Sequence, residues 1–224
     1  AGADPALGSP LDRAFLLALL FLTIFVLVKR DFRWAEAIKD NIWVILLICY
    51  MAISIFWSNI PFISFKRWTR EFEAVLMAFV LLSEPSPRRA MECILRRTIY
   101  ILIPFSVLLC KYFPDYGVTY NRWGWGMWIG VTTHKNPLGR LCLIAAFFLI
   151  WTLVRRRQGK NPPVWRYQSY VEGIVLLMAF YLMRGPQRGG YSATAVASLA
   201  IGLLFYVVSL LLRRYRKTLR PVTV

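Results

Sequence analysis

The chain's one histidine sits in "GVTTHKNPLGRLC", residues 130–142, followed at once by Lys135 and Asn136. An imidazole, an ammonium and an amide in a row can move a proton, hold an anion or orient a sugar hydroxyl. Pro137 suits the first turn of a helix, with Asn136 as its N-cap. The cluster would then lie at the positive end of a helix dipole. Backbone N–H groups receive anions there, and His134 and Lys135 would add donors. A metal site fits poorly, because no second histidine and no acidic cluster stand nearby. In the plainer alternative Asn136 only caps and His134 only bonds a carbonyl.

Two further stretches bring cations together. In "FWSNIPFISFKRWTREFEAV", residues 56–75, Pro61 breaks one helix and the next begins. Phe62, Phe65, Trp68 and Phe72 recur at three- and four-residue spacing, so one face is aromatic. Lys66, Arg67 and Arg70 take other faces. Such a segment can lie at a membrane interface, with Arg67 and Arg70 toward an anionic headgroup; it can also be an aromatic belt with snorkelling bases. In "LMRGPQRGGYSATAVASLA", residues 182–200, a turn carrying Arg184 and Arg188 joins two helices. Gly185, Gly189 and Gly190 permit tight turning and close approach. Ser192, Ala195, Ala197 and Ser198 form a small face on which membrane helices pack closely. Arginines in such a turn can grip phosphate bidentately, or the stretch is only packing and turn. The loop before His134 holds Trp123, Trp125 and Trp128. It is expected to pack on the membrane surface or over a cavity, and flat aromatic faces suit stacking on sugar rings.

The elements that must position these residues are apolar. The chain of 224 residues is 58% hydrophobic and only 17% charged, where soluble chains are nearer a quarter charged. Seven apolar segments stand out, near 14–28, 41–57, 68–82, 98–113, 137–154, 170–183 and 191–212. The expected fold is all-α: a polytopic transmembrane helical bundle of about seven spans, one integral membrane domain over residues 1–224. Segments 68–82 and 170–183 are short enough to be tilted or partly re-entrant. Eighteen of the 28 basic residues fall in one alternating set of loops, about twice the number in the other. The positive-inside rule makes the richer side cytoplasmic. The N-terminus and the histidine loop are then outside and the C-terminus inside. "AGADPALGSPLDR" lacks the features of a signal peptide, so an earlier helix is expected to be missing and the chain to be a fragment. The placement of the bases between apolar runs argues against nucleic acid as partner. No phosphate-binding glycine motif is present. Cys49, Cys93, Cys110 and Cys142 read as small buried hydrophobes.

Several stretches in this order resemble one family. "SIFWSNIPFISFKRWTREF", "GVTTHKNPLGRL", "RGPQRGGYSATAVASL" and "GSPLDR" are similar to segments of the O-antigen ligase and polysaccharide polymerase membrane proteins. The His-Lys-Asn motif points to the exopolysaccharide-polymerase branch. The usual Ser-Arg pair is here replaced by Gly-Pro-Gln-Arg-Gly-Gly, and the first helix and C-terminal half of the family pattern are missing. The resemblance implies a multi-pass protein of the bacterial inner membrane, acting at its periplasmic face. It implies a glycosyltransferase-type enzyme that transfers or polymerises glycan carried on polyprenyl diphosphate, in exopolysaccharide or O-antigen biosynthesis. No cofactor, metal or nucleotide is implied. The partners would be the lipid-linked glycan, membrane lipid and other polysaccharide-assembly proteins. His134, Lys135 and Asn136 match the motif, Arg184 and Arg188 the later turn, Arg67 and Arg70 the early helix. All would bind diphosphate or glycan, and no catalytic base is assigned. Two other functions compete: a lipid-linked glycan transporter or flippase component, and a non-catalytic membrane scaffold. Against a transporter stand the lack of an internal repeat and the few charges inside spans.

Overall fold

The computed structural model describes residues 10–30, 34–159, 163–186, 190 and 192–219. Each of the seven apolar segments lies largely in a helix. They are α1 (Pro10–Lys29), α3 (Ile42–Ser54, extended by a tight turn to Trp57), α4 (Pro61–Leu82), α5 (Pro87–Tyr112), α7 (Lys135–Arg157), α8 (Gln168–Arg184) and α9 (Ala193–Leu219). Unexpected are two short helices, α2 (Trp34–Asp40) and α6 (Pro114–Gly117), and a hairpin of β1 (Val118–Tyr120) with β2 (Gly126–Trp128).

Of the seven expected spans, two or three meet the length and composition of one. Among the described residues, only α5 and α7 are long and apolar enough to cross a membrane. A third candidate is α2 with α3, a pair bent by 90°. The apolar parts of α1 and α9, Ala14–Lys29 and Ala193–Ser209, are shorter. Helix α4 carries Lys66, Arg67, Arg70, Glu71 and Glu73 among its first 13 of 22 residues, and α8 has 17 residues. The protein is all-α, with two or three helices that meet the length and composition of a span.

The chain divides into two compact units, Ala1–Glu92 and Cys93–Val224. In the first, α1 and α4 bury Leu27, Leu76 and Phe79, with Ile45 of α3 packed alongside. The aromatic stripe foreseen on α4 is there: Trp68 stacks between Phe65 and Phe72, with centroids 6.1 and 5.2 Å away. Its indole N–H donates to the Ile48 carbonyl of α3 at 3.1 Å. The stripe therefore fastens two helices instead of facing a membrane surface along its whole length. Asn41 makes the bend before α3: its amide nitrogen and side chain both donate to the Ala37 carbonyl. Arg30 ties the end of α1 to the end of α4 through Glu84 at 2.6 Å.

In the second unit α7 is central. Cys142, Ala145, Ala146 and Leu149 are fully buried, packed with Ile103, Ala179, Leu182 and Leu199 of its neighbours. Small residues on α7 let the other helices come close. A Cβ on Gly139 would meet the Ser192 Cβ at 2.5 Å and that of Ala195 at 3.0 Å. Cys110 and Cys142 are buried as expected, but Cys49 and Cys93 are exposed. Cys49 lies on an outward face that periodicity over a uniformly apolar run does not reveal, and Cys93 lies in the charged first turns of α5.

Candidate functional site

The segment leading into α7 is folded, not a plain loop. Gly117 packs so tightly on α5 that a Cβ would lie 2.4 Å from the Leu109 backbone. Its carbonyl accepts the N–H groups of Ile129 and Gly130 at 2.9 and 3.1 Å and the Cys110 thiol at 3.3 Å. β1 and β2 pair antiparallel, with Thr119 opposite Met127. Asn121 builds the turn between them. Its side-chain oxygen accepts the N–H groups of Trp123 and Trp125, both at 2.9 Å, while Gly124 takes a positive φ of 74°. Met127 is buried and Trp128 lies against Tyr181 of α8, centroids 4.8 Å apart. Tyr116, Tyr120, Trp123 and Trp125 stay exposed. Gly190, beyond α8, approaches the same hairpin: a Cβ there would sit 2.8 Å from the Gly126 carbonyl oxygen. The strap is thus held by α5, by α8 and by the end of the turn after α8.

This strap delivers His134 to the start of α7. The N-cap is His134, not Asn136, which is a correction. His134 has extended backbone (φ −157°, ψ 159°), and its Nδ1 accepts the Asn136 N–H at 3.4 Å. Its carbonyl accepts the Leu138 N–H at 3.3 Å and the Thr132 hydroxyl at 2.9 Å. Accepting at Nδ1 puts the ring proton on Nε2, and the side chain is exposed. The cap also weakens the expected anion cradle. The Asn136 N–H is used by the imidazole and Pro137 has none. An anion at this terminus would depend on side chains, with Lys135 half-buried and Asn136 exposed.

Arg184 ends α8 and is exposed, and Gly185 follows it with φ 69°. Through the Gly139–Ser192 contact, the start of α7 and the start of α9 meet, so His134, Lys135, Asn136 and Arg184 occupy one end of this helix group. Arg188 lies outside the described residues. Arg67 and Arg70 are exposed on α4 in the first unit. Among the described residues, no group of three or more His, Cys, Asp or Glu comes together that could hold a metal ion.

A second polar constellation, absent from the sequence reading, lies at the other end of α7. Glu172 of α8 is fully buried. Arg156 grips it bidentately, Nη1 to Oε2 at 2.6 Å and Nη2 to Oε1 at 3.1 Å. The Gln168 amide and the Tyr100 hydroxyl also donate to Oε1, at 3.1 and 3.3 Å. Arg96 of α5 brings its Nε within 3.4 Å of the same oxygen. The one signal in the sequence was an acid within an apolar run, with Gln168 one helical turn before it. Comparison with known protein families, curated proteins and solved structures finds no match.

Proposed function

We propose that the protein acts in the transfer or polymerisation of glycan units carried on polyprenyl diphosphate, as the resemblance to the O-antigen ligase and polysaccharide polymerase family implies. In that role the chain is a multi-pass protein of the bacterial inner membrane. α1, α4, α8 and α9 would cross it beside the three stronger candidates, and the His134 end would face the periplasm. The observation that carries the reading is the His-Lys-Asn motif at a capped helix start, held there by a strap with exposed tyrosine and tryptophan rings. Flat aromatic faces suit sugar rings, and cations beside them suit a diphosphate.

The chemistry asked of the site is displacement at the anomeric carbon. An acceptor hydroxyl forms the new glycosidic bond as the bond to diphosphate breaks, and the lipid diphosphate departs with both electrons of that bond. Lys135, Arg184 and Arg188 would stabilise the charge that develops on it, while Arg67 and Arg70 of the first unit would meet an anionic headgroup. The hydroxyl proton must pass to a base, and none of these residues is assigned that task. His134 is placed as a positioning residue, because its Nδ1 is engaged as the cap acceptor and Nε2 is left to donate.

The test substitutes His134→Ala, Arg188→Ala and Arg67→Ala separately in the cells that make the polymer. Polymer length on the lipid carrier is then measured beside the amount of inserted protein. Short or absent polymer with normal insertion is the expected result. Full-length polymer from all three variants would remove the site assignment. Accumulation of single units on the inner leaflet would point to a flippase instead.

A further inference from the structure

We propose that the Arg96 end of the second unit is a binding site for a phosphate group at the membrane surface, the headgroup phosphate of an anionic lipid. The inference rests on the chain lying in a membrane, not on glycan transfer. Its basis is a charge imbalance in a buried cluster. Two guanidiniums, Arg96 and Arg156, face one carboxylate, Glu172, and the carboxylate is fully buried. The oxygen that Arg96 faces, Oε1 of Glu172, is already taken: Arg156, Gln168 and Tyr100 all donate to it, while Arg156 also holds Oε2. Arg96 reaches that oxygen only as an ion contact at 3.4 Å, and its Nε is buried without a hydrogen-bond partner among the described residues. The nearest acid on its own helix, Glu92, is engaged by Arg88 at 3.3 Å. One positive charge is therefore left over in a poorly solvated place, which is costly unless an anion meets it.

The position suits a lipid. Arg96 lies where the apolar run of α5 begins and Arg156 where that of α7 ends, and these are the two strongest span candidates. Headgroup phosphates lie at that depth. Arg96 is 21% exposed although its Nε is buried, so its exposure lies on the rest of the side chain. Phe148, with its ring 5.9 Å from the guanidinium carbon, gives the group an apolar flank. A guanidinium with its outer edge open matches two phosphate oxygens. Exposed Arg97 and Arg157 on the same two helices would raise the local anion concentration without forming the site.

The full chain is placed in phosphatidylcholine nanodiscs with and without phosphatidylglycerol, and thermal unfolding and lipid retention are recorded. Phosphatidylglycerol should raise the unfolding temperature and be retained selectively. Arg96→Gln should weaken that response roughly tenfold or more, while Arg97→Gln, with the same charge change on an exposed side chain, should keep it. If Arg96→Gln does not fold, Arg96→Lys is the alternative: it keeps the charge, loses the two-pronged geometry and should lose most of the response. Inorganic phosphate added to pure phosphatidylcholine discs separates the sources. No response to it supports the lipid headgroup. A full response, abolished in Arg96→Gln, assigns the phosphate site to a soluble anion and overturns the lipid. Equal responses in the wild type and Arg96→Gln overturn the site itself. Failure to enter nanodiscs at all would overturn the membrane reading along with it.

Discussion

His134 caps α7, and the cap geometry allows that role to be separated from the substrate positioning proposed for it. As N-cap it accepts one backbone N–H through Nδ1 at 3.4 Å, a long bond, so its contribution to stability belongs at the weak end for caps. Asparagine is among the best N-cap residues and carries an acceptor at similar reach. His134→Asn should therefore leave the unfolding temperature close to wild type, while His134→Ala should lower stability by about 0.5–1 kcal/mol. If the imidazole only caps, polymer length should be normal in the asparagine variant and reduced, at most, in the alanine one. If Nε2 positions a substrate, both should lose long polymer, and the asparagine variant should do so while folding normally. Thermal unfolding beside polymer length separates the two roles at this one residue. Cap and motif both fall on the helix start, which is why the sequence located the terminus but assigned the cap two residues late. Asn-Pro is a strong capping signal, and histidine in the extended conformation before Lys135 won because the strap fixes its backbone.

Among the elements, the Glu172 cluster joins three helices, α5, α7 and α8, and its energetics follow from burial. Glu172→Ala would take from Arg156, only 9% exposed, and from Arg96 the carboxylate that both face. Breaking a buried pair in this way costs about 3–5 kcal/mol. Replacing both partners, Arg156→Met with Glu172→Leu, should cost clearly less than the sum of the single changes, because the two charges are coupled. Unfolding in detergent by heat checks this, and additive losses would mean the pair is not coupled. The cluster also marks the limit of what the sequence could tell. Helices were readable because each apolar run is long and bounded by proline, glycine or basic residues. The seven segments all fall largely within helices for that reason. Gln168 is a local partner of Glu172, but Arg156 is 16 residues away across a turn and Tyr100 72, and no local pattern pairs these. The hairpin was missed for another reason. Its strands are three residues each, and its rings and glycines look like loop until Asn121 is seen folding the turn. The 90° bend between α2 and α3 rests on the double Asn41 contact, which an apolar run does not announce.

Among the described residues an apolar core also encloses polar groups, and large apolar side chains face outward. Glu172, Gln168, Thr152, Ser106 and Ser192 are buried, while Phe21, Trp43, Ile101, Leu177 and Phe205 are more than half exposed. Apolar surface on this scale seeks a partner phase, and a bilayer supplies one along the length of a helix. α7 gives the sharpest case: its 23 residues extend about 35 Å, enough for a hydrocarbon core of about 30 Å. Its last turn holds Arg155, Arg156 and Arg157, which the positive-inside rule assigns to the cytoplasm. The two ends of this one helix should therefore face opposite compartments. Cys49 and Cys93 are exposed and would react with a thiol reagent, so both are first changed to serine; Cys110 and Cys142 are buried and can stay. Thr133→Cys and Gln158→Cys then place single reporters at exposed positions just outside either end of α7. A membrane-impermeant maleimide added to intact cells should label the first and reach the second only after permeabilisation. The opposite pattern would reverse the orientation and move the histidine motif to the cytoplasm, out of reach of a periplasmic glycan donor. Labelling of both reporters from the same side would mean that α7 does not cross the bilayer, and the glycan-transfer reading would lose the helix that presents its motif.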